Sequence, residues 1–205
     1  MSAEHYFSAD PKGVERRRYV NVSAAGRQFR LVASSGVFSA DRLDPGTAVL
    51  LRKAPLPTTP GTYLDLGCGY GPIATALAAA GGGLVHAVDV NARALDLVRE
   101  NAAAHSLADH VIASTPEEVP DSTTFDQIWS NPPIRVGKAV VHELMDTWLP
   151  RLAEGGVAWL VVAKFLGADS LQEWLIERGW DVERHASQKG YRVFAVRRPE
   201  EEDAA

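Results

Sequence analysis

Short apolar runs alternate with stretches of helical periodicity from Thr62 to the end of the chain. Tyr63–Leu66, Leu84–Asp89, Val111–Ala113, Phe125–Ser130 and Val157–Ala163 read as strands, the last continuous enough to be buried on both faces. Pro72–Ala80 reads as an Ala-rich helix with proline in its first turn, ended by Gly81-Gly82-Gly83. Asn91 can cap a helix running to about Ser106, with Ala94, Leu95 and Val98 on one face. Val140, Leu144 and Trp148 share a further helical face, which Gly155-Gly156 would close. Ser170 and Glu173 pair as a capping box for a helix ending at Gly179. Trp180–His185 and Tyr191–Val196, joined by Gln188-Lys189-Gly190, read as an antiparallel pair. This alternation predicts an α/β fold with a mostly parallel sheet and helices on both faces.

The pattern before Thr62 is different. Residues 18–38 alternate apolar and polar around Ala24-Ala25-Gly26, which predicts a β-hairpin. A short helix is expected within Asp41–Lys53, after Asp44-Pro45-Gly46, and Pro55, Pro57 and Pro60 make a stiff connector. The expected organisation is a hairpin and helix extension over 1–56, packed on a main domain over 57–199, with a disordered acidic tail over 200–205.

A chain of 205 residues, 46% apolar and 23% charged, is long enough for one sizeable core. It has no apolar run long enough for a membrane span and no apolar signal region. Its single cysteine excludes an internal disulfide. A cytoplasmic protein without a membrane partner is expected. The net charge of −5 is unevenly spread: residues 1–53 hold nine Lys/Arg against five Asp/Glu, and the excess of acid lies beyond them. A basic front on an acidic body can hold a polyanion such as RNA, or it can be a solvated hairpin face. His5, His86, His105, His110, His142 and His185 show no metal-ligand spacing with one another or with Cys68, so no metal is expected.

The chemistry concentrates in two motifs. Leu64-Asp65-Leu66-Gly67-Cys68-Gly69-Tyr70-Gly71 is a strand that ends in an acid and opens into a glycine loop. In such a sheet, ligands bind outside the carboxyl ends of the strands, and glycines let a ligand approach the backbone. Asp89, followed by Val90 and Asn91, ends the next strand and can accept hydrogen bonds from a ribose diol. A dinucleotide fingerprint is disfavoured, because Pro72 stands where its last glycine belongs, and Asp65 would repel a pyrophosphate. Asp65 instead suits a cationic ligand group. Thr115, after the third strand of this region, is the candidate adenine contact. Cys68 is expected as a small packed loop residue, with Asp65 and Asp89 opposing a reactive thiolate.

Ser130-Asn131-Pro132-Pro133 ends the fourth strand of the region. Two prolines fix φ twice and make a rigid ledge. The Asn131 side-chain oxygen and the Pro132 carbonyl can there accept hydrogen bonds from one NH₂ group. This suits methylation of an amino nitrogen whose lone pair is delocalised, since two acceptors favour the pyramidal, attacking geometry.

The chain resembles the small-domain class I S-adenosylmethionine (SAM) dependent methyltransferases, in particular the guanine-N2 methyltransferases of small-subunit ribosomal RNA. The resemblance rests on His5 to Pro11, Gly36 to Thr47, Asp65 to Gly71, Val88 to Asn91, Ser130 to Lys138, and Lys164 with Leu166-Gly167-Ala168. It covers essentially the whole chain, which is similar to the catalytic half alone of members that carry a second, N-terminal half. It implies a Rossmann-like, doubly wound, seven-stranded sheet with an antiparallel C-terminal strand, SAM as cofactor, and ribosomal RNA or the small subunit as partner. Asn131, Pro132 and Pro133 become the catalytic candidates. Asp65, Gly67, Cys68, Gly69, Gly71, Asp89, Val90, Asn91, Thr115 and Asn131 become the cofactor candidates. Ile134 stands where many Asn-Pro-Pro enzymes have an aromatic residue, so stacking on the target base falls to another side chain, with Phe38 the candidate. Arg135, Lys138 and Lys164 are candidate phosphate contacts. Adenine N6 and a protein glutamine amide are alternative acceptors. An NAD-dependent oxidoreductase and a non-catalytic RNA-binding factor are the readings from other classes.

Overall fold

The computed structural model describes residues 16–199. The matching run at His5 to Pro11 and the acidic tail at 200–205 lie outside them. Two strands, β1 (Arg17–Ala24) and β2 (Arg27–Ser34), form the N-terminal hairpin. Ala25 and Gly26 both take positive φ, at 52° and 68°, the turn geometry that matches strand twist. Helix α1 (Pro45–Lys53) follows, with Asp44 as its N-cap and proline at its first position.

The remaining strands are β3 (Thr62–Leu66), β4 (Leu84–Val88), β5 (Val111–Ser114), β6 (Phe125–Ser130), β7 (Leu152–Ala163), β8 (Asp181–Gln188) and β9 (Tyr191–Arg197). They form the expected seven-stranded sheet in the order β5-β4-β3-β6-β7-β9-β8. The first five in that order are parallel, and β9 runs antiparallel to both neighbours. The chain moves outward from β3 to β5, then returns to β6 on the other flank of β3. That reversal opens a crevice between the carboxyl ends of β3 and β6.

Helices α2 (Pro72–Gly81), α3 (Ala92–Ala104), α4 (Lys138–Trp148) and α5 (Ala168–Glu177) cover the sheet. Side chains alternate across each strand and supply two cores. Tyr63, Val85, Trp129, Trp159 and Val161 pack with α1, α2, α3 and the hairpin. Leu64, Leu66, Ile128, Leu160 and Val162 pack with α4 and α5. Val20, Val22, Phe29 and Leu31 belong to the first core, so the hairpin shares its apolar interior with the main sheet.

Asn101, 1% exposed, ties the hairpin down. Its Oδ1 accepts from Val32 N–H at 2.7 Å, while its amide donates to the Val32 and Tyr70 carbonyls, each at 2.9 Å. One side chain of α3 thus links β2 to the loop after β3.

Several local expectations are corrected. In α4, Val141, Met145 and Trp148 are buried and Leu144 packs against the same core, while Val140 is 42% exposed; of the predicted face Val140 alone turns outward, and Val141 takes its place. Gly155-Gly156 does not close that helix, which ends in a 3-10 turn at Leu149–Arg151. The glycines lie inside β7, where Gly155 takes φ 69° and the register against β6 shifts. Ser170 and Glu173 do not cap α5, which starts at Ala168 after Gly167 in the left-handed region. Strand β8 extends to Gln188, beyond the predicted His185.

Candidate active site

The loop after β3 is shaped by its own hydrogen bonds. Gly67 and Cys68 N–H both donate to the Val88 carbonyl, at 2.9 and 3.0 Å, and Gly71 N–H closes back on Cys68 at 2.9 Å. Gly67, Gly69 and Gly71 all have positive φ, where a β-carbon is strained. A β-carbon on Gly67 would meet nothing within 4 Å, so its backbone faces open space. Gly71 has a different reason to be glycine: a β-carbon there would stand 3.1 Å from Val98 of α3.

Asp65 is fully buried. Its Oδ2 accepts from Ala74 N–H at 2.8 Å, satisfying the first turn of α2, whose own N-cap is Gly71. Its Oδ1 is buried without a hydrogen-bond partner among the described residues. Burial pushes the Asp65 carboxyl up to about 8; the Ala74 bond opposes it, and the Asp89 charge adds a lesser upward push. A carboxylate so placed is stabilised by a cation. Asp89 is half-buried, with Oδ2 accepting from Gly69 N–H and Oδ1 from Asn91 N–H, both at 2.9 Å. Each oxygen keeps a further lone pair. Desolvation raises its carboxyl too. Val90 beside it is 43% exposed, an apolar surface after the end of β4.

Asn91 is buried and its side-chain groups are engaged within the protein. Its Oδ1 caps α3 at Arg93 and Ala94 N–H, and its Nδ2 donates to the Gly36 carbonyl at 2.8 Å. It anchors the front segment beside Asp89. Cys68 is buried, and burial followed by the two nearby carboxylates holds its thiol well above the usual range. It is inert packing. Thr115 follows β5, with its N–H donating to Glu118 Oε2 at 2.8 Å.

The Asn-Pro-Pro run follows β6, the neighbour of β3. Pro133 has φ −76° and ψ 63°, and Ile134 N–H donates to the Pro132 carbonyl at 2.8 Å, an inverse γ-turn. The Pro132 oxygen retains one lone pair. Asn131 donates both amide hydrogens, to Asp44 Oδ1 at 2.8 Å and to Thr47 Oγ1 at 3.1 Å. Asp44, the N-cap of α1, and Thr47, in its first turn, are site residues that the sequence motifs do not point to.

One cleft brings these parts together: the Gly67–Tyr70 loop, Asn131, Asp44, Thr47 and Phe38 line it. Phe38 is 49% exposed at its rim. Arg135, Lys138 and Lys164 are exposed. Arg135 and Arg42 lie near enough to Tyr191 to oppose the upward push that burial and Asp44 exert on its phenol. Tyr70, beneath the cleft, has a buried hydroxyl with no partner among the described residues. Among the described residues no His, Cys, Asp and Glu group could hold a metal, and no helix is long and apolar enough to cross a membrane.

A glycine loop and an acid-ended strand on one side of the switch point, with an Asn-Pro-Pro ledge on the other, define a SAM-dependent methyltransferase of class I. The sequence comparisons make the assignment narrower. The family model described as methyltransferase small domain matches residues 28–195, and the chain belongs to that family. It is 34% identical to the uncharacterized protein YbxB of Bacillus subtilis, over 96% of this chain and 99% of that one. It is also 34% identical to ribosomal RNA small subunit methyltransferase C of Aeromonas hydrophila, over 82% of this chain and 50% of that one. Among solved structures, a T. thermophilus 16S rRNA N2 methyltransferase (RsmC) in complex with AdoMet and guanosine superposes with TM-score 0.74 at 26% identity, covering 89% of this chain and 51% of that one. The chain therefore spans about half the length of the ribosomal RNA methyltransferases it matches.

Proposed function

We propose that this protein transfers a methyl group from SAM to an exocyclic NH₂, with guanine N2 of small-subunit ribosomal RNA as the acceptor. The observation that carries the reading is Asn131: its oxygen is left as an acceptor in the cleft that the glycine loop lines. The names of the ribosomal RNA relatives support the choice of acceptor.

The residues present fit the cofactor. Gly67 offers an uncovered backbone, and the unpartnered Asp65 Oδ1 suits the cationic amino end, through water or directly. Backbone groups of Gly67, Cys68 and Gly69, which line the cleft, would hold the methionine part, and Gly71 sets the turn. Asp89 would accept from the ribose hydroxyls, Val90 and Thr115 would border the adenine, and Asn91 holds Asp89 and the front segment in place. When bound, SAM supplies an electrophilic methyl group on a sulfonium.

The protein's part is positioning. Asn131 Oδ1 and the remaining lone pair of the Pro132 oxygen accept the two amino hydrogens, which orients the nitrogen lone pair toward the methyl carbon. Orientation of this kind can lower a barrier by about 7–11 kcal/mol. No side-chain base is required, because nitrogen becomes acidic on gaining the methyl and releases a proton to water. Phe38 provides the ring face that Ile134 does not, and Arg135, Lys138 and Lys164 meet phosphates. A paired base would have to be flipped out, or presented in a loop.

The test is transfer of labelled methyl from SAM to total RNA and to ribosomal subunits, followed by nucleoside analysis. Label in N2-methylguanosine, lost in Asn131→Ala while SAM binding persists, is expected. Label in N6-methyladenosine, or none in any RNA despite SAM binding, would overturn the acceptor.

A further inference from the structure

We infer that Asp44, the N-cap of α1, and Thr47, in its first turn, are positioning residues that fix the polarity of the Asn131 amide and so select a donor NH₂ as the group this site accepts. The inference deepens the reading of Asn131 given above and rests on it.

An asparagine amide has two nearly isosteric ends, one accepting and one donating. Which end faces the cleft decides whether the site recognises an amino group or a carbonyl. Nothing within Asn131-Pro132-Pro133 sets that choice. Asp44 sets it, because a carboxylate can only accept, so the Asn131 NH₂ must turn toward it. Thr47 Oγ1 takes the second hydrogen at 3.1 Å. With both hydrogens engaged, Oδ1 is the end left for substrate, and no described residue donates to it.

The same Asp44 Oδ1 accepts from Thr47 N–H at 3.0 Å, closing the N-cap of α1. The cap and the amide anchor are thus one oxygen. Position 46 beside it is glycine, where a β-carbon would stand 3.0 Å from this oxygen and 2.9 Å from the Tyr191 ring. A side chain there would crowd the anchor. Placement of α1 against β7 and β9 therefore prepares the clamp before any ligand arrives.

The experiment separates cap from anchor. Asp44→Ser keeps a short capping oxygen for α1 but withdraws the acceptor from Asn131. Asp44→Asn keeps an Oδ1 that can accept from both partners. Thr47→Val removes only the second acceptor. The readouts are methyl transfer, SAM affinity, thermal stability, and ¹⁵N NMR of the Asn131 side-chain amide, assigned by its loss in Asn131→Ala. In the wild type both amide hydrogens should be protected from solvent exchange. Asp44→Ser should lose that protection and about 10- to 100-fold in kcat, with SAM affinity within about twofold. Asp44→Asn should recover most of both, and Thr47→Val should fall between. Unchanged exchange in Asp44→Ser, or unchanged kcat beside lost protection, would overturn the inference. A parallel fall in SAM affinity and stability without a selective kcat effect would show a cap alone. The exchange arm decides amide anchoring whatever the acceptor is, so a wild type inactive on RNA would sink the acceptor assignment without touching it.

Discussion

Replacing Asn101 should unfasten the hairpin from the main sheet. The side chain makes three hydrogen bonds, all to backbone groups of elements distant in sequence. Each is worth about 1 kcal/mol net, so Asn101→Ala should lose roughly 3 kcal/mol, a large share of the 5–15 kcal/mol typical of a domain. Volume is not the main effect. Asn101→Leu fills the space but leaves the Val32 N–H and the Val32 and Tyr70 carbonyls without partners, so it should be no more stable than the alanine variant. Asn101→Asp should be worse near neutral pH, because an acceptor then faces two carbonyls. The assay is equilibrium urea unfolding followed by tryptophan fluorescence, reading the midpoint at constant slope. A loss below about 1 kcal/mol for alanine, or recovery in the leucine variant, would refute the argument that backbone pairing is what Asn101 contributes.

Further expectations follow from single positions. Ala25 takes φ 52° in the hairpin turn, so Ala25→Asn should add about 0.5–1 kcal/mol in thermal unfolding, and an unchanged midpoint would contradict the turn geometry. Asp65 binds its proton more tightly folded than unfolded, so wild-type stability should fall relative to Asp65→Asn as pH rises from about 4 to about 8. The slope should be on the order of 1 kcal/mol per pH unit, and parallel curves for the two proteins would refute it. Gly46→Ala should gain helix propensity of about 0.5–1 kcal/mol yet lower methyl transfer, because the new carbon meets Tyr191 and the Asp44 carboxylate. A Gly46→Ala protein with full turnover would show that the α1 cap tolerates displacement.

What the sequence makes legible here is local chemistry. The glycine loop, Asp89 and Asn131-Pro132-Pro133 announce themselves by residue type and spacing, and the strand-helix alternation leads directly to the sheet. Asp44, Thr47 and Asn101 are different: their partners lie 87, 84 and 69 residues away, so only the folded chain shows what they do. Asp44 is legible as a helix cap, since Asp-Pro-Gly is a start signal, but not as the holder of Asn131. The α4 stripe was ambiguous because Val140 and Val141 are adjacent and equally apolar. Gly155-Gly156 can end a helix or bulge a strand, and tertiary pairing with β6 decides for the bulge. Ser170 and Glu173 have capping-box spacing, but the left-handed Gly167 starts the helix earlier.

Helix α1 lies in the same core as Trp159, Val161, Val193 and Ala195 of β7 and β9, although it precedes every strand of the main sheet. On the ribosome, α1 is made before any strand of its seat, and β9 completes that seat last. Until β7 emerges, Leu50 and its neighbours have no strand of their seat to lie on, and until β9 emerges that seat is incomplete. Folding of this chain cannot proceed in step with synthesis from one end to the other. The clamp also joins distant segments, since Asn131 finds its polar partners only when the start of α1 reaches the end of β6. A chain arrested before β9 would hold every motif residue named above but only part of the seat that carries Asp44 and Thr47. Such separated contacts predict slow closure and a window in which a chaperone could hold the nascent chain.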